Sequence, residues 1–236
     1  MNETQQKLIL VKAKTFFKEE IVASHINAGC KKASSLKEYN VNPFLYKYLA
    51  NLLRGNDDPL SIAEALVLPR VLGTSINTTF GMKVQKFIST VFEGLGSTTP
   101  GIDIEYIDNL DNRKKYCQLK AGPNTINYDD VETIFRHFEA TINLARTNNL
   151  NIGFNDLVVG VVYGEPKQLS THYQKIDKKY PVLVGVEFWH RITGSEKFYF
   201  DLIEAFGEVA NEVDGTKVLK ETINKLSQEI SEKFIF

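Results

Sequence analysis

The order of apolar and polar positions divides the chain into a helical first third, a middle that contains strands, and a helical end. Leu8, Val11, Ala13, Phe16, Phe17, Ile21 and Val22 recur at near-helical spacing, predicting one amphipathic helix from Glu3 to about Ala28, ending near Gly29. Asn42-Pro43 and Asp58-Pro59 each set proline at a first turn, predicting helices through Leu45, Leu49, Leu52 and Leu53 to Gly55 and through Ile62, Ala65 and Leu66. After Gly73, the cluster Thr74, Ser75, Asn77, Thr78 and Thr79 reads as a polar loop leading into a helix from about Phe80 to Leu95. The buried stripe of that helix is Val84, Phe87, Ile88, Val91 and Phe92, with Lys83, Gln85 and Lys86 off it.

Further along, Asn127 or Asp129 can cap a helix through Val131, Ile134, Phe135, Phe138, Ile142 and Leu144, in which His137 reads as structural or surface. The valine-dense runs Asp156 to Tyr163 and Pro181 to Phe188 suit buried strands. Helical spacing returns from Phe198 to Val209 and from Val218 to Ile235.

Chemistry concentrates between Gly101 and Gly122, which reads as a hairpin turning through Asn109 to Lys115. Alternation puts Asp103 and Glu105 on one face, and Gln118 and Lys120 on a face opposite to Leu119. Carboxylates, a carboxamide and an ammonium on adjacent strands can hold a hard divalent cation against a phosphate. The same pattern also suits the solvated face of an ordinary hairpin, so the spacing leaves both readings open.

The run Gly101-Ile102-Asp103, followed after fourteen residues by Gln118-Leu119-Lys120, resembles the core of the PD-(D/E)XK nucleases. Pro69 to Phe87, Gln118 to Ile134 and Val182 to Gly194 are similar to type II restriction endonucleases of the PmeII kind, a resemblance spanning roughly Leu66 to Gly207. It implies an α/β (α+β) chain: a central mixed sheet of the restriction-endonuclease-like fold flanked by helices. Its parts would be a helical N-terminal region (1–72), a nuclease core (73–194) and C-terminal helices (195–236) packed on the core or forming a dimer surface.

The resemblance further implies Mg2+-dependent hydrolysis of double-stranded DNA at a short palindromic or interrupted sequence, within a restriction-modification system. Asp103, Gln118 and Lys120 are its catalytic residues. Asp103, Gln118 and the Leu119 main-chain carbonyl are its metal ligands, with Glu105 as a further candidate. Gln118 stands where the family most often has glutamate, and Gln85 where many members have an acidic residue, which bears on the number of metals. Contacts to DNA are expected from Thr74, Ser75, Asn77, Thr78, Thr79, Lys83, Asn124, Thr125, His190 and Arg191, the first group through hydroxyls and free helix amides. Lys167, Lys175, Lys178 and Lys179, with His172 and Tyr173, form a lesser candidate groove. Trp189 either closes the core or borders a DNA-entering loop. A homodimer is expected, with a methyltransferase as a genetic rather than a bound partner.

Composition changes little of this. A formal net charge of -1 neither requires nor excludes DNA binding, because basic residues can gather on one face. Two distant cysteines indicate no disulfide framework or cysteine zinc site, and no GxxxxGK[ST] loop is present. The expectation is a cytoplasmic protein with no segment long enough to span a bilayer. Two other classes compete: a DNA-binding protein with a degenerate nuclease fold, and a helical interaction protein without a nucleic-acid role.

Overall fold

The computed structural model describes residues 2–233. They fall into two compact units, one made of the chain up to Lys14 together with Lys83–Phe206, the other of Thr15–Met82 together with the chain from Gly207 onward.

The first unit is built on a four-stranded mixed sheet in the order β1 (Ile104–Ile107), β2 (Lys114–Lys120), β3 (Leu157–Val161) and β4 (Val182–Val184). β1 and β2 pair antiparallel as the expected hairpin, whereas β2–β3 and β3–β4 are parallel. Parallel strands need covering on both faces, and β3 is accordingly buried along its whole length. The long crossover helix α6 (Tyr128–Thr147) joins β2 to β3; Asn127 and Asp130 cap it reciprocally in a capping box. Val131, Ile134 and Phe138 from α6 pack with Leu157, Val159 and Val161 of β3 in one apolar cluster.

The polar connection after β3 contains a short helix, α7 (Thr171–Asp177), whose Tyr173 and Ile176 are fully buried. The expected basic groove is therefore a packed element: Lys167, Lys175 and Lys179 pair with Glu165, Glu132 and Glu139. β4 is shorter than the expected strand. At Gly185 the backbone takes φ +53, and a helix, α8 (Val186–Thr193), begins directly after it. Trp189 lies inside that helix, fully buried, with its indole N–H donating to the Val162 carbonyl at 2.8 Å, so it closes the core.

The N-terminal helix, whose residues up to Lys14 belong to the first unit, does not end near Gly29. α1 (Glu3–Phe16) continues through wider π-type turns at Phe17–Val22 and His25–Cys30 into the short α2 (Lys31–Ala33). Gly29 serves close approach: a side chain there would overlap the Ser75 hydroxyl. α3 (Tyr46–Arg54) starts three residues after Pro43, and α4 (Pro59–Leu68) takes Asp58 as its cap, the carboxylate accepting from the Ser61 N–H at 2.7 Å.

The polar stretch after Gly73 is not a loop. Pro69 has no N–H to give, and the chain widens into a π-type turn (Pro69–Ser75) before α5 (Ile76–Val91), leaving the helix unbroken. The resulting helix of 33 residues, Pro59–Val91, is long and apolar enough to cross a membrane by length and composition only, a test that core helices of non-membrane proteins also pass. Burial of Ile62, Ala63, Val67, Val71, Val84, Phe87, Ile88 and Val91 accounts for much of its apolar content.

α9 (Phe198–Val209) and α10 (Gly215–Lys233) complete the chain; the predicted end at Ile235 lies outside the described residues. α10 packs on α4, with Ile223, Leu226 and Ile230 in the same apolar cluster as Ile62, Ala63 and Val67.

Candidate active site

Asp103 lies one residue before β1, where Ile104 faces Cys117, and its N–H donates to the same Cys117 carbonyl at 3.0 Å. Gln118 and Lys120, two residues apart on β2, share a face, and the charges of Lys120 and of His137, the partner of Gln118, both act on Asp103. The Leu119 N–H donates to Asp103 Oδ2 at 2.7 Å, tying the aspartate across to β2. Burial raises the Asp103 carboxyl above its ordinary range, against the lowering effects of that bond, of Lys120 and of His137.

Lys120 is held from the other side. Its ammonium lies 3.1 Å from Asp130 Oδ1, and Asp130 is the third helical residue of α6. Burial pushes the Asp130 carboxyl up, but the Asn127 N–H and Lys120 outweigh it and keep it low. Strand β2 and the N-terminus of α6 thus jointly orient the lysine.

Gln118 is buried and gives its amide nitrogen to two acceptors, the Gly101 carbonyl at 2.5 Å and His137 Nδ1 at 2.7 Å. Gly101 has φ +78, and any side chain there would overlap the His137 ring. Glu105 is engaged elsewhere. Lys114 sits 2.6 Å from Oε2, and the Ser97 and Thr99 hydroxyls donate to Oε1 at 2.6 and 2.7 Å. Burial raises the Glu105 carboxyl, but these partners together hold it below the ordinary range.

Carbonyl directions alternate along β2. Lys120 O accepts from Val162 on the β3 side and Cys117 O from Asp103 on the β1 side, so Leu119 O also faces the β1 side. There the hairpin partner has turned away, with the Ile102 N–H donating to Thr99 O. The Leu119 carbonyl thus lies beyond the last β1 pairing, Ile104 with Cys117, on the side where its own N–H meets Asp103. The donor set of Asp103 carboxylate, Leu119 carbonyl and Gln118 carboxamide is all oxygen, which fits a hard cation such as Mg2+. It carries one carboxylate, and no group of three His, Cys, Asp or Glu side chains with metal-holding geometry occurs among the described residues.

The residues expected to meet DNA are scattered. Thr78 and Thr79 spend their hydroxyls on the Thr74 and Ser75 carbonyls of their own helix, Ser75 Oγ lies 3.2 Å from His25 Nδ1, and Asn77 is exposed. Because Thr74 to Thr79 are mid-helix, no free N-terminal amides accompany them. Lys83 follows on α5, as does Gln85, which is exposed. Asn124 and Thr125 lie in the loop after β2, where the Thr125 hydroxyl donates to Gly122 O at 2.8 Å. His190 and Arg191 belong to α8 rather than to a loop, and the Arg191 guanidinium is 2.8 Å from the fully buried Asp108 carboxylate.

Two residues at the site were missed. Asp130 was signalled by the Asn127-x-x-Asp130 capping spacing. His137 was signalled by its place one turn from Ile134 and Thr141, on the sheet-facing side of α6.

Compared with known families, residues 6–214 match the family described as Type II restriction endonuclease EcoO109I. No curated protein matches the chain.

Proposed function

The chain belongs to the Type II restriction endonuclease EcoO109I family, and from that premise we propose that it is a Mg2+-dependent enzyme cutting double-stranded DNA at a short palindromic or interrupted sequence. The observation that supports this reading is that the Leu119 N–H donates to Asp103 while Lys120, and His137 bonded to Gln118, act on the same carboxylate.

Asp103, the Gln118 carboxamide oxygen and the Leu119 carbonyl would hold the cation. Mg2+ bound there supplies Lewis-acid stabilisation of the phosphate and a more acidic water. As the ammonium, Lys120 orients the attacking water and offsets negative charge as it develops on the phosphate. Asp130 keeps the Lys120 ammonium aimed along the sheet until DNA enters. Lys120→Ala is expected to retain DNA binding in gel-shift titrations and to lose cleavage; unchanged cleavage by this variant would remove the site.

Around this centre we place a homodimer matched to a two-fold DNA site, a cytoplasmic location and a cognate methyltransferase encoded separately. The dimer is supported by α3 and its lead-in, where Phe44, Leu45, Tyr48, Leu49 and Leu52 are all exposed. A binding-only role is favoured by one feature, the single carboxylate of the ligand set; sequence-selective retention of DNA with no magnesium-dependent product would establish it.

A further inference from the structure

We propose that His137 is a positioning residue for the hydrolytic centre: as the second anchor beside the Gly101 carbonyl, it holds the Gln118 carboxamide with Oε1 toward the cation. The inference rests on the reading of Gln118 as a ligand. A main-chain carbonyl can only accept, so the Gln118 atom 2.5 Å from Gly101 O is the amide nitrogen. Its second hydrogen then goes to His137 Nδ1 at 2.7 Å, which must accept and therefore carries no proton; the ring hydrogen is on Nε2. Both amide hydrogens are spent on the protein. The planar carboxamide consequently presents Oε1 on its opposite side, as the only atom that can serve a cation.

The set also explains why glutamine stands here. A glutamate at 118 would set a carboxylate oxygen against the Gly101 carbonyl with no hydrogen between them, and the imidazole could meet it only by carrying its proton on Nδ1. Gly101 belongs to the same device, since its φ of +78 and the space it leaves admit the imidazole. Without His137 one amide hydrogen is left without its acceptor and the carboxamide is held by the Gly101 carbonyl alone, free to swing about that single bond and carry Oε1 out of line.

Nitrogen-15 NMR of the whole chain tests the hydrogen-bond assignment without metal or DNA. The expected result is an unprotonated His137 Nδ1 and two exchange-protected Gln118 amide hydrogens; a protonated Nδ1 in the wild type overturns the inference even if no variant folds. Mn2+ binding followed by electron paramagnetic resonance tests the consequence. His137→Leu and Gln118→Ala are expected to weaken binding by about 10-fold or more, the usual effect of losing an outer partner of a ligand. His137→Asn, whose Oδ1 can accept in place of Nδ1, restores most of it. Wild-type affinity in a folded His137→Leu, with Gln118→Ala weakened, would overturn the positioning role alone. Wild-type affinity in both would overturn Gln118 as a ligand, and the inference with it.

Discussion

Asp103 carries a charge that the surrounding fold disfavours. Burial raises its carboxyl above the ordinary range, so the folded state holds the proton more tightly than the unfolded chain. Stability from this group is complete below the ordinary aspartate range and is lost as pH rises through the raised value. Asp103→Asn, which keeps an oxygen for the Leu119 N–H, is therefore expected to raise the urea midpoint at pH 7 in metal-free buffer. The gain should fade as pH falls below the ordinary aspartate range; a lower midpoint at pH 7 would contradict this electrostatic account. Asp103, Gln118 and Lys120 were singled out by the resemblance of their spacing to the nuclease core, since strand alternation by itself left an ordinary hairpin face open. Their partners were less legible, since Asp130 and His137 arrive from α6 and depend on how that helix crosses the sheet.

At the scale of elements, β2 is the central support, and a buried ion cluster fixes its first half. Lys115, almost wholly buried, reaches Asp111 at 2.6 Å and Asp156 at 3.3 Å, while Arg113 binds both oxygens of Asp156. The Arg113 guanidinium holds the Asp156 carboxyl at about 2, despite burial, with Lys115 helping. Its folded value is depressed, so the stabilisation is present above the ordinary aspartate range and is lost as pH falls toward 2. Asp156→Asn should cost about 2–3 kcal/mol at pH 7 by urea unfolding, shrinking to little near pH 2. A neutral-pH cost under about 1 kcal/mol would mean that Asp111 and solvent suffice for the two cations.

The strands and α6 were readable because β-branched runs and an Asn-x-x-Asp cap are local signals. The unbroken helix Pro59–Val91 was not. Pro69, Gly73 and a run of hydroxyls are each breaker signals, yet a π-type turn absorbs the proline and Thr78 and Thr79 bond back to their own helix. Strand β4 and the start of α8 were merged into one strand because only Glu187 interrupts the apolar run from Val182 to Phe188, and the positive φ of Gly185 divides it.

For the whole molecule, the unit made of Thr15–Met82 and the chain from Gly207 onward leaves apolar side chains uncovered on α3, with Phe44 89% and Leu52 70% exposed. A single charged substitution there should separate a homodimer while leaving the hydrolytic centre unaltered. Leu52→Glu is expected to sediment as a monomer of about half the wild-type mass; a wild-type chain that is already monomeric at micromolar concentration would refute this surface.

The central claim is metal-dependent, site-specific hydrolysis at Asp103, Gln118 and Lys120. Its most direct test is incubation of unmethylated phage DNA with increasing protein in Mg2+ or EDTA, followed by sequencing of the fragment ends. Discrete fragments with a common end sequence, formed only with Mg2+ and abolished by Asp103→Ala, are the predicted result. DNA left intact in Mg2+ at every protein concentration, or cleaved equally by Asp103→Ala, would contradict it.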